Sequence, residues 1–353
     1  MTSFATDRRA VVLLSLLIVI GAGLLSIPWF LTPPAYLDLA LRDSAFGADL
    51  SASQVLVTDE TTGKTMTAAI HKVGDAFIAR IGRINSGKGA YRAQITGYRP
   101  GTARIDAAAL QNVRAPLDLH PTFGRLEITP VNATRRDETI PATVKQGARV
   151  VTPAPQRTIV VDLPPGKHRF SADATGYCPS DREFEVSEAK LTKVVLPLSP
   201  DLRDDEIARF VLGWRNEPRD LDSHLRKSDA VGFPHPAHLY WSQKTGSFPG
   251  GGVFARLDVD ELYPGRYETV TVRANAMGEY RYFVHLFAGI GTINDADAMV
   301  QIYTRGCRVR TFTPPPQCTQ NVWNVITLRY DGGNVDLVEL GNCEAAYGRP
   351  VIK

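Results

Sequence analysis

Pro165-Gly166-Lys167-His168-Arg169-Phe170, followed by Thr175-Gly176-Tyr177-Cys178-Pro179, repeats an earlier stretch of the same chain. The first copy reads Ser86-Gly87-Lys88-Gly89-Ala90-Tyr91, then Thr96-Gly97-Tyr98-Arg99-Pro100, 79 residues upstream. Leu117, Leu119 and Pro121 match Leu196, Leu198 and Pro200 at the same offset. In each copy a glycine turn starts a strand (YRAQIT, RFSADAT) and a Gly-Tyr corner ends it. Two further strands follow (TARIDA and NVRAPLDL; EFEVS and KVVLPLS). Apolar residues at every second position of 184–186 and 193–198 describe half-buried strands. With 24 prolines and 29 glycines between short Val, Ile and Thr runs, the chain reads as mainly β. Two domains of one fold are expected, at residues 46–121 and 122–200.

Leu163-Pro164-Pro165-Gly166-Lys167-His168-Arg169-Phe170 with Gly176-Tyr177 resembles the small β-sandwich domains of the carboxypeptidase-regulatory-like or PEGA type. The resemblance implies spacer or adhesion modules of immunoglobulin-like, β-sandwich architecture.

From Asp201 the composition changes. Leu212-Gly213-Trp214-Arg215-Asn216-Glu217-Pro218-Arg219-Asp220-Leu221-Asp222-Ser223-His224-Leu225 resembles the opening of the YfaP-like bacterial extracytoplasmic domains. His238-Leu239-Tyr240-Trp241, Ala255-Arg256-Leu257-Asp258-Val259-Asp260 and Tyr267-Glu268-Thr269-Val270-Thr271-Val272 continue it in order. So do Glu279-Tyr280-Arg281-Tyr282-Phe283-Val284-His285, Val300-Gln301-Ile302-Tyr303 and Val322-Trp323-Asn324-Val325. The family's Gly-Pro-Glu-Thr turn is replaced by Gly265-Arg266-Tyr267-Glu268-Thr269. The resemblance implies a third β-sandwich over residues 201–353 and brings no activity with it.

That domain holds the candidate site. In an extended strand residues two apart share a face. Asp220, Asp222 and His224 therefore project together, and Leu221, Ser223 and Leu225 face the other way. Asp258 and Asp260 repeat the pattern, with Leu257 and Val259 opposite. These four carboxylates, with Glu268, make an oxygen-rich candidate site for Ca²⁺. His224 is an odd ligand for so hard an ion and is expected to hydrogen-bond a carboxylate or cap the edge of the site. The plainer reading is a solvated strand face whose carboxylates are bonded to Arg219, Arg226 and Arg256 or to loop amides. An Asp222–His224 acid/base pair lacks a nucleophile or a third group.

At the other end, Asp7-Arg8-Arg9 leads into an uncharged run over residues 10–31. As a helix this run is about 33 Å long, enough to cross a bilayer. Arg8 and Arg9 favour a cytoplasmic N-terminus (residues 1–9), Trp29 suits an interface, and Pro33-Pro34 stop the helix. The run exceeds a signal-peptide core, and the small-residue site Gly21-Ala22-Gly23 falls in its middle. The expected architecture is a single transmembrane helix followed by three extracytoplasmic antiparallel β-sandwich domains. The expected location is a bacterial inner membrane, with the bulk periplasmic. Residues 32–45 form a juxtamembrane segment. There Leu37, Ala40, Leu41 and Ala45 have helical spacing, as an amphipathic surface helix or a short packing helix of the first β-domain.

An extracytoplasmic chain permits disulfides. Cys307 and Cys318 bound a Pro-rich loop, RVRTFTPPPQ, with Cys343 competing for either. Cys178 aligns with Arg99 in the repeat, so it is expected to be a lone thiol. No C-x-x-C pair points to a tetrahedral metal site. A net charge of +3 without an aromatic-interleaved basic cluster argues against nucleic acid. No H-E-x-x-H or G-x-S-x-G occurs, and the half P-loop Ser86-Gly87-Lys88 is explained as a repeat turn. Tyr240-Trp241 and Phe248 are candidate sugar-stacking aromatics, or core or rim residues. Asn132-Ala133-Thr134 fits a glycosylation acceptor.

The expected function is a non-enzymatic, membrane-anchored scaffold subunit without cofactor, whose partners are the lipid bilayer and other membrane protein subunits. Gly21, Ala22, Gly23 and Ser26 suit close helix packing. Candidate hosts include photosynthetic reaction-centre or antenna complexes and other envelope assemblies. The alternative is an extracytoplasmic glycan- or protein-binding module, with Ca²⁺.

Overall fold

The computed structural model describes residues 35–227, 237–248, 252–274 and 277–345. The apolar run 10–31 and the residues before it lie outside these. Among the described residues no helix is long and apolar enough to cross a membrane. The described chain is built of strands and divides into two compact units, split between Thr122 and Phe123.

The first unit contains β1 (Ala35–Asp43), β2 (Gln54–Asp59), β3 (Thr65–Val73), β4 (Ala76–Ile84), β5 (Gly87–Gln94), β6 (Gly101–Ala107) and β7 (Asn112–Leu119). Their order is β6-β5-β2-β3-β4-β1-β7. The first half of β3 pairs with β2 and its second half with β4, so this strand turns the corner between two layers. Leu37, Leu39, Val55, Val57, Ala79 and Tyr91 are among the side chains packed between them.

The helix expected around residues 36–46 is a strand. Ala35, Leu37, Leu39, Leu41 and Asp43 alternate as buried positions in β1, which pairs with β4 and β7. Leu37 and Leu41 satisfy both the helical and the strand period. Tertiary burial selects the period-2 solution, because a sheet offers this segment two partners. The first β-domain therefore begins by Ala35, before the expected residue 46. β1 and β7 run parallel, so the sheets are mixed and not purely antiparallel.

The second unit opens with the repeat: β8 (Gly124–Asn132), β9 (Thr143–Gln146), β10 (Arg149–Val150), β11 (Ile159–Leu163), β12 (Gly166–Asp173), β13 (Ser180–Val186) and β14 (Leu191–Leu198). Sheets β10-β9-β12-β13 and β11-β8-β14 face each other across Leu126, Ile128, Phe170, Phe184, Leu196 and Leu198. The strands β12, β13 and β14 stand 79 residues after β5, β6 and β7. The Gly-Tyr corners coincide as well: Tyr98 bridges Pro121 and Tyr177 bridges Pro200, with Gly97 and Gly176 at φ of +84° and +81°. Only glycine takes that conformation at no cost. β8 runs parallel to β14 as β1 does to β7.

The same unit continues with β15 (Glu206–Gly213), β16 (Asp220–Lys227), β17 (His238–Leu239), β18 (Thr245–Ser247), β19 (Val253–Val259), β20 (Tyr267–Arg273), β21 (Gly278–Ala288), β22 (Met299–Thr304), β23 (Arg308–Phe312), β24 (Val322–Tyr330) and β25 (Val335–Glu344). Sheets β18-β19-β20-β15-β22-β23 and β17-β16-β21-β24-β25 enclose Phe210, Leu212, Trp214, Phe254, Tyr280, Tyr282 and Trp323.

A second apolar cluster joins these two parts of the unit. Val131, Ala133 and Cys178 pack with Val211, Val259, Tyr267 and Tyr303. The Tyr267 hydroxyl donates to the Asn132 carbonyl at 2.8 Å. Arg136 and Glu261 pair at 2.8 Å, and Arg215 donates to the Glu183 carbonyl at 2.7 Å. Arg182 is buried against Gly213, where a Cβ would strike its guanidinium. Cys178 is bonded to Cys307 and Cys318 to Cys343. The expectation of a lone Cys178 is thus corrected, and of the pairings open to Cys318 the one with Cys343 is formed. The junction places Cys178 beside Cys307 of the following domain. Asn132 is buried and bonded through its side chain to Glu138 and Thr134, which leaves its amide no room for a glycan.

Candidate functional site

Strand β16 runs along the edge of its sheet for half its length. It pairs with β21 from Asp220 to Lys227, but with β17 only at Leu225 and Arg226. Leu221 and Leu225 enter the core, and Ser223 Oγ lies 2.8 Å from the Tyr282 hydroxyl. Asp220, Asp222 and His224 take the other side. They are not solvated: exposures are 2%, 2% and 4%. The reading of this face as a solvated, arginine-paired surface is overturned.

Glu268, at the start of β20, reaches this edge from the opposite sheet. Its Oε2 accepts from the Ser223 N–H at 2.6 Å and its Oε1 from the Glu261 N–H at 3.3 Å. Asp260 follows β19. One oxygen meets Lys244 Nζ at 2.6 Å; the other is buried without a hydrogen-bond partner among the described residues. Oxygens of Asp222, Asp260 and Glu268 lie within 4.8 Å of one another. Asp220 flanks them, and its Oδ1, like Asp222 Oδ2, is buried and unpartnered among the described residues.

Asp258 does not join them. The register of β19 shifts between Leu257 and Val259, opposite Val270 and Thr269 of β20. Leu257 therefore enters the sandwich core, whereas Val259 packs on the outer face at the junction. Asp258 is the extra residue of this bulge, and its carboxylate accepts from Thr271 Oγ1, which also accepts from Arg209 at 3.0 Å. A bulge inverts the parity on which the Asp258/Asp260 pairing rests.

The electrostatics follow from burial. Desolvation, with lesser contributions from Asp260 and Glu261, overrides the field of Arg219 and pushes the Asp220 carboxyl up to about 6. Desolvation, then the negative fields of Asp220 and Asp260, pushes Asp222 up to about 8. Glu268 is raised well above the usual carboxylate range by burial first and Asp222 next. These groups need shared protons or a cation. An all-oxygen set of this kind suits a hard divalent ion, and Ca²⁺ fits it.

A histidine group adjoins on the same face of β16. His224 Nδ1 and His238 Nε2 are 2.8 Å apart. The His224 ring stacks on Phe283 and Tyr240, with centroids at 4.7 and 5.7 Å, and meets His285 edge-on at 5.6 Å. The bond expected from His224 to a carboxylate is made to His238 instead. Burial, then the fields of His238, His285 and Arg226, holds His224 well below the ordinary imidazole value. Burial and Arg226 bring His238 down to about 4. His238 and His285 are site residues that sequence reasoning did not single out. Their signal lies in register, which sets Asp222 directly opposite His285.

Of the candidate aromatics, Phe248 packs on the core residue Phe254 and Tyr240 on the histidines. Trp241 meets Phe287, which is 45% exposed.

No family model matches the chain, and no curated protein matches it. Among solved structures it is similar to the Bacillus anthracis TIE protein, with 14% identity, 80% of this chain and 48% of that one covered, and a TM-score of 0.25. The chain thus spans about half of that protein's length. A homologue of a telluride resistance protein from Streptomyces coelicolor shows 16% identity, 40% and 93% coverage and a TM-score of 0.31. A streptococcal ancillary pilin shows 12% identity, 80% and 96% coverage and a TM-score of 0.26. At these scores the likenesses assign the chain to no group.

Proposed function

We propose that this chain is a non-enzymatic scaffold subunit of the bacterial envelope, anchored by its apolar run 10–31 with its β-domains outside the inner membrane. On this reading the domains are three β-sandwiches, PEGA-like over the repeats and YfaP-like at the C-terminus. The observation that carries the reading is the junction of the second and third domains. A disulfide, a buried apolar cluster and the Arg136–Glu261 pair fix them to each other. Inter-domain contacts otherwise tend to permit relative motion. Rigid spacing serves holding and capping of a larger assembly better than it serves turnover.

The test is mild-detergent extraction of the full chain from native membranes, followed by native sizing and mass spectrometry. A stoichiometric set of other membrane proteins is expected, and its identity would name the host, photosynthetic or otherwise. A lone monomer or homo-oligomer would overturn the scaffold reading.

A second reading, an extracytoplasmic binding module that uses Ca²⁺, is favoured by one observation. Buried Asp222 and Glu268 meet half-buried Asp260, with one unpartnered oxygen on each aspartate among the described residues, and the exposed Phe287 stands against Trp241 nearby. Ca²⁺-dependent retention of glycans or surface proteins by the full chain would support it, and equal retention in chelator would sink it.

A further inference from the structure

We propose that Asp222, His224 and His285 form a binding site for a first-row transition-metal ion, with Zn²⁺ the best fit. This goes beyond the scaffold reading and does not rest on it.

The strand geometry builds the set. Asp222 and His224 are two residues apart on one face of β16, and His285 is the cross-strand partner of Asp222 in β21. Directly opposed residues of an antiparallel pair hold their Cβ atoms about 5 Å apart, close enough for short side chains to share a ligand. One ligating atom from each of the three residues lies within 4.8 Å of the others.

Two buried atoms need an explanation. Asp222 Oδ2 and His224 Nε2 have no hydrogen-bond partner among the described residues, although their residues are only 2% and 4% exposed. Leaving such groups unpaired forfeits their hydration with nothing in return. A His224 ring that donates from Nδ1 to His238 presents a bare lone pair on Nε2. That lone pair and the carboxylate oxygen are both acceptors, so neither can satisfy the other without a proton or a cation.

The surroundings match a metal's outer shell. A ligating imidazole ordinarily gives its second N–H to an orienting acceptor, and His238 Nε2 stands 2.8 Å from His224 Nδ1. Phe283 and Tyr240 stack on the His224 ring and fix its plane. His238 is thus a positioning residue.

Donor chemistry separates this set from the oxygen group that shares Asp222. Two imidazoles and one carboxylate suit Zn²⁺ and its first-row neighbours, whereas Ca²⁺ takes oxygen ligands. Asp222 faces both sets, so occupancy of one bears on the other.

The test uses the full, untagged chain in detergent, stripped with chelator and titrated with Co²⁺. Visible d–d absorption saturating at one equivalent is expected, together with hyperfine-shifted imidazole N–H protons from two histidines. Zn²⁺ should displace the Co²⁺. His285→Ala, at a half-buried position, should abolish the spectrum, and Asp260→Asn should retain it. His238→Ala should weaken binding about 10–100-fold, as loss of an orienting partner does. Absence of the spectrum from the unsubstituted chain would overturn the proposal without reference to any variant. So would a spectrum indifferent to His285→Ala.

Discussion

Cys178 is bonded to Cys307, 129 residues further along, and the bond crosses from the second β-domain to the third. It is set in the apolar cluster that includes Val211, Val259 and Tyr303. Covalent and non-covalent contacts thus act at one place.

Reduction of this bond, or Cys307→Ser, should lower stability by about 2–4 kcal/mol, since a cross-link over a long loop restricts the unfolded chain. Urea unfolding with and without reductant measures it. An unchanged midpoint in protein shown by mass mapping to be reduced would refute the expectation.

Gly213→Ala should destabilise the unit by about 1–3 kcal/mol, the cost of overpacking. The added methyl meets Arg182, whose pKa burial pulls down to about 10. In an Arg182→Ala background the same substitution should cost distinctly less. Additive effects in the double-mutant cycle would place the strain elsewhere.

In chelator the protein should lose stability as pH rises from about 6.5 to 8, by about 1–2 kcal/mol through Asp222. The raised groups Asp222 and Glu268 bind more protons folded than unfolded there, so deprotonation favours the unfolded state. Between about 4 and 6.5 the depressed histidines act oppositely, because the unfolded chain takes up their protons. Stability should therefore vary less over that lower interval. Asp222→Asn should flatten the upper limb; a limb that persists unchanged would exclude Asp222 as its source.

Ca²⁺ should stabilise chelator-treated protein by about 2.7 kcal/mol at a hundredfold excess over Kd, which thermal unfolding reads as a raised melting temperature. Asp222→Asn should abolish this response. Asp258→Asn should leave it intact, since Asp258 lies on the outer face with Thr271. Equal loss in both variants would return Asp258 to the site.

The repeat turns were legible in the sequence because Gly97 and Gly176 need a backbone that few residues adopt. The face shared by Asp220, Asp222 and His224 was legible because the register shift beside Asp220 puts its extra residue, Phe287, in β21 and leaves β16 itself continuous. Asp258 was misplaced because a bulge between Leu257 and Val259 leaves no mark in composition. β1 was misread because Leu37 and Leu41 fit both periods. Its offset also hid it: Tyr36 pairs beside Asn112 as Arg125 does beside Leu191, so β1 and β8 lie 89 residues apart and not 79. His285 and Cys307 were brought to Asp222 and Cys178 by pairings distant in sequence, which no local pattern encodes.

β1 is an interior strand of its sheet, between β4 and β7, and β8 likewise lies between β11 and β14. Among the described residues, each of these two domains is thus closed by a parallel pairing of its earliest strand with its latest. A chain emerging N-terminus first must keep Leu37, Leu39 and Leu41 unpaired on that side until residues 112–119 arrive. Neither domain can complete itself piecemeal during synthesis, and the exposed flank of its first strand has to be shielded in the interval.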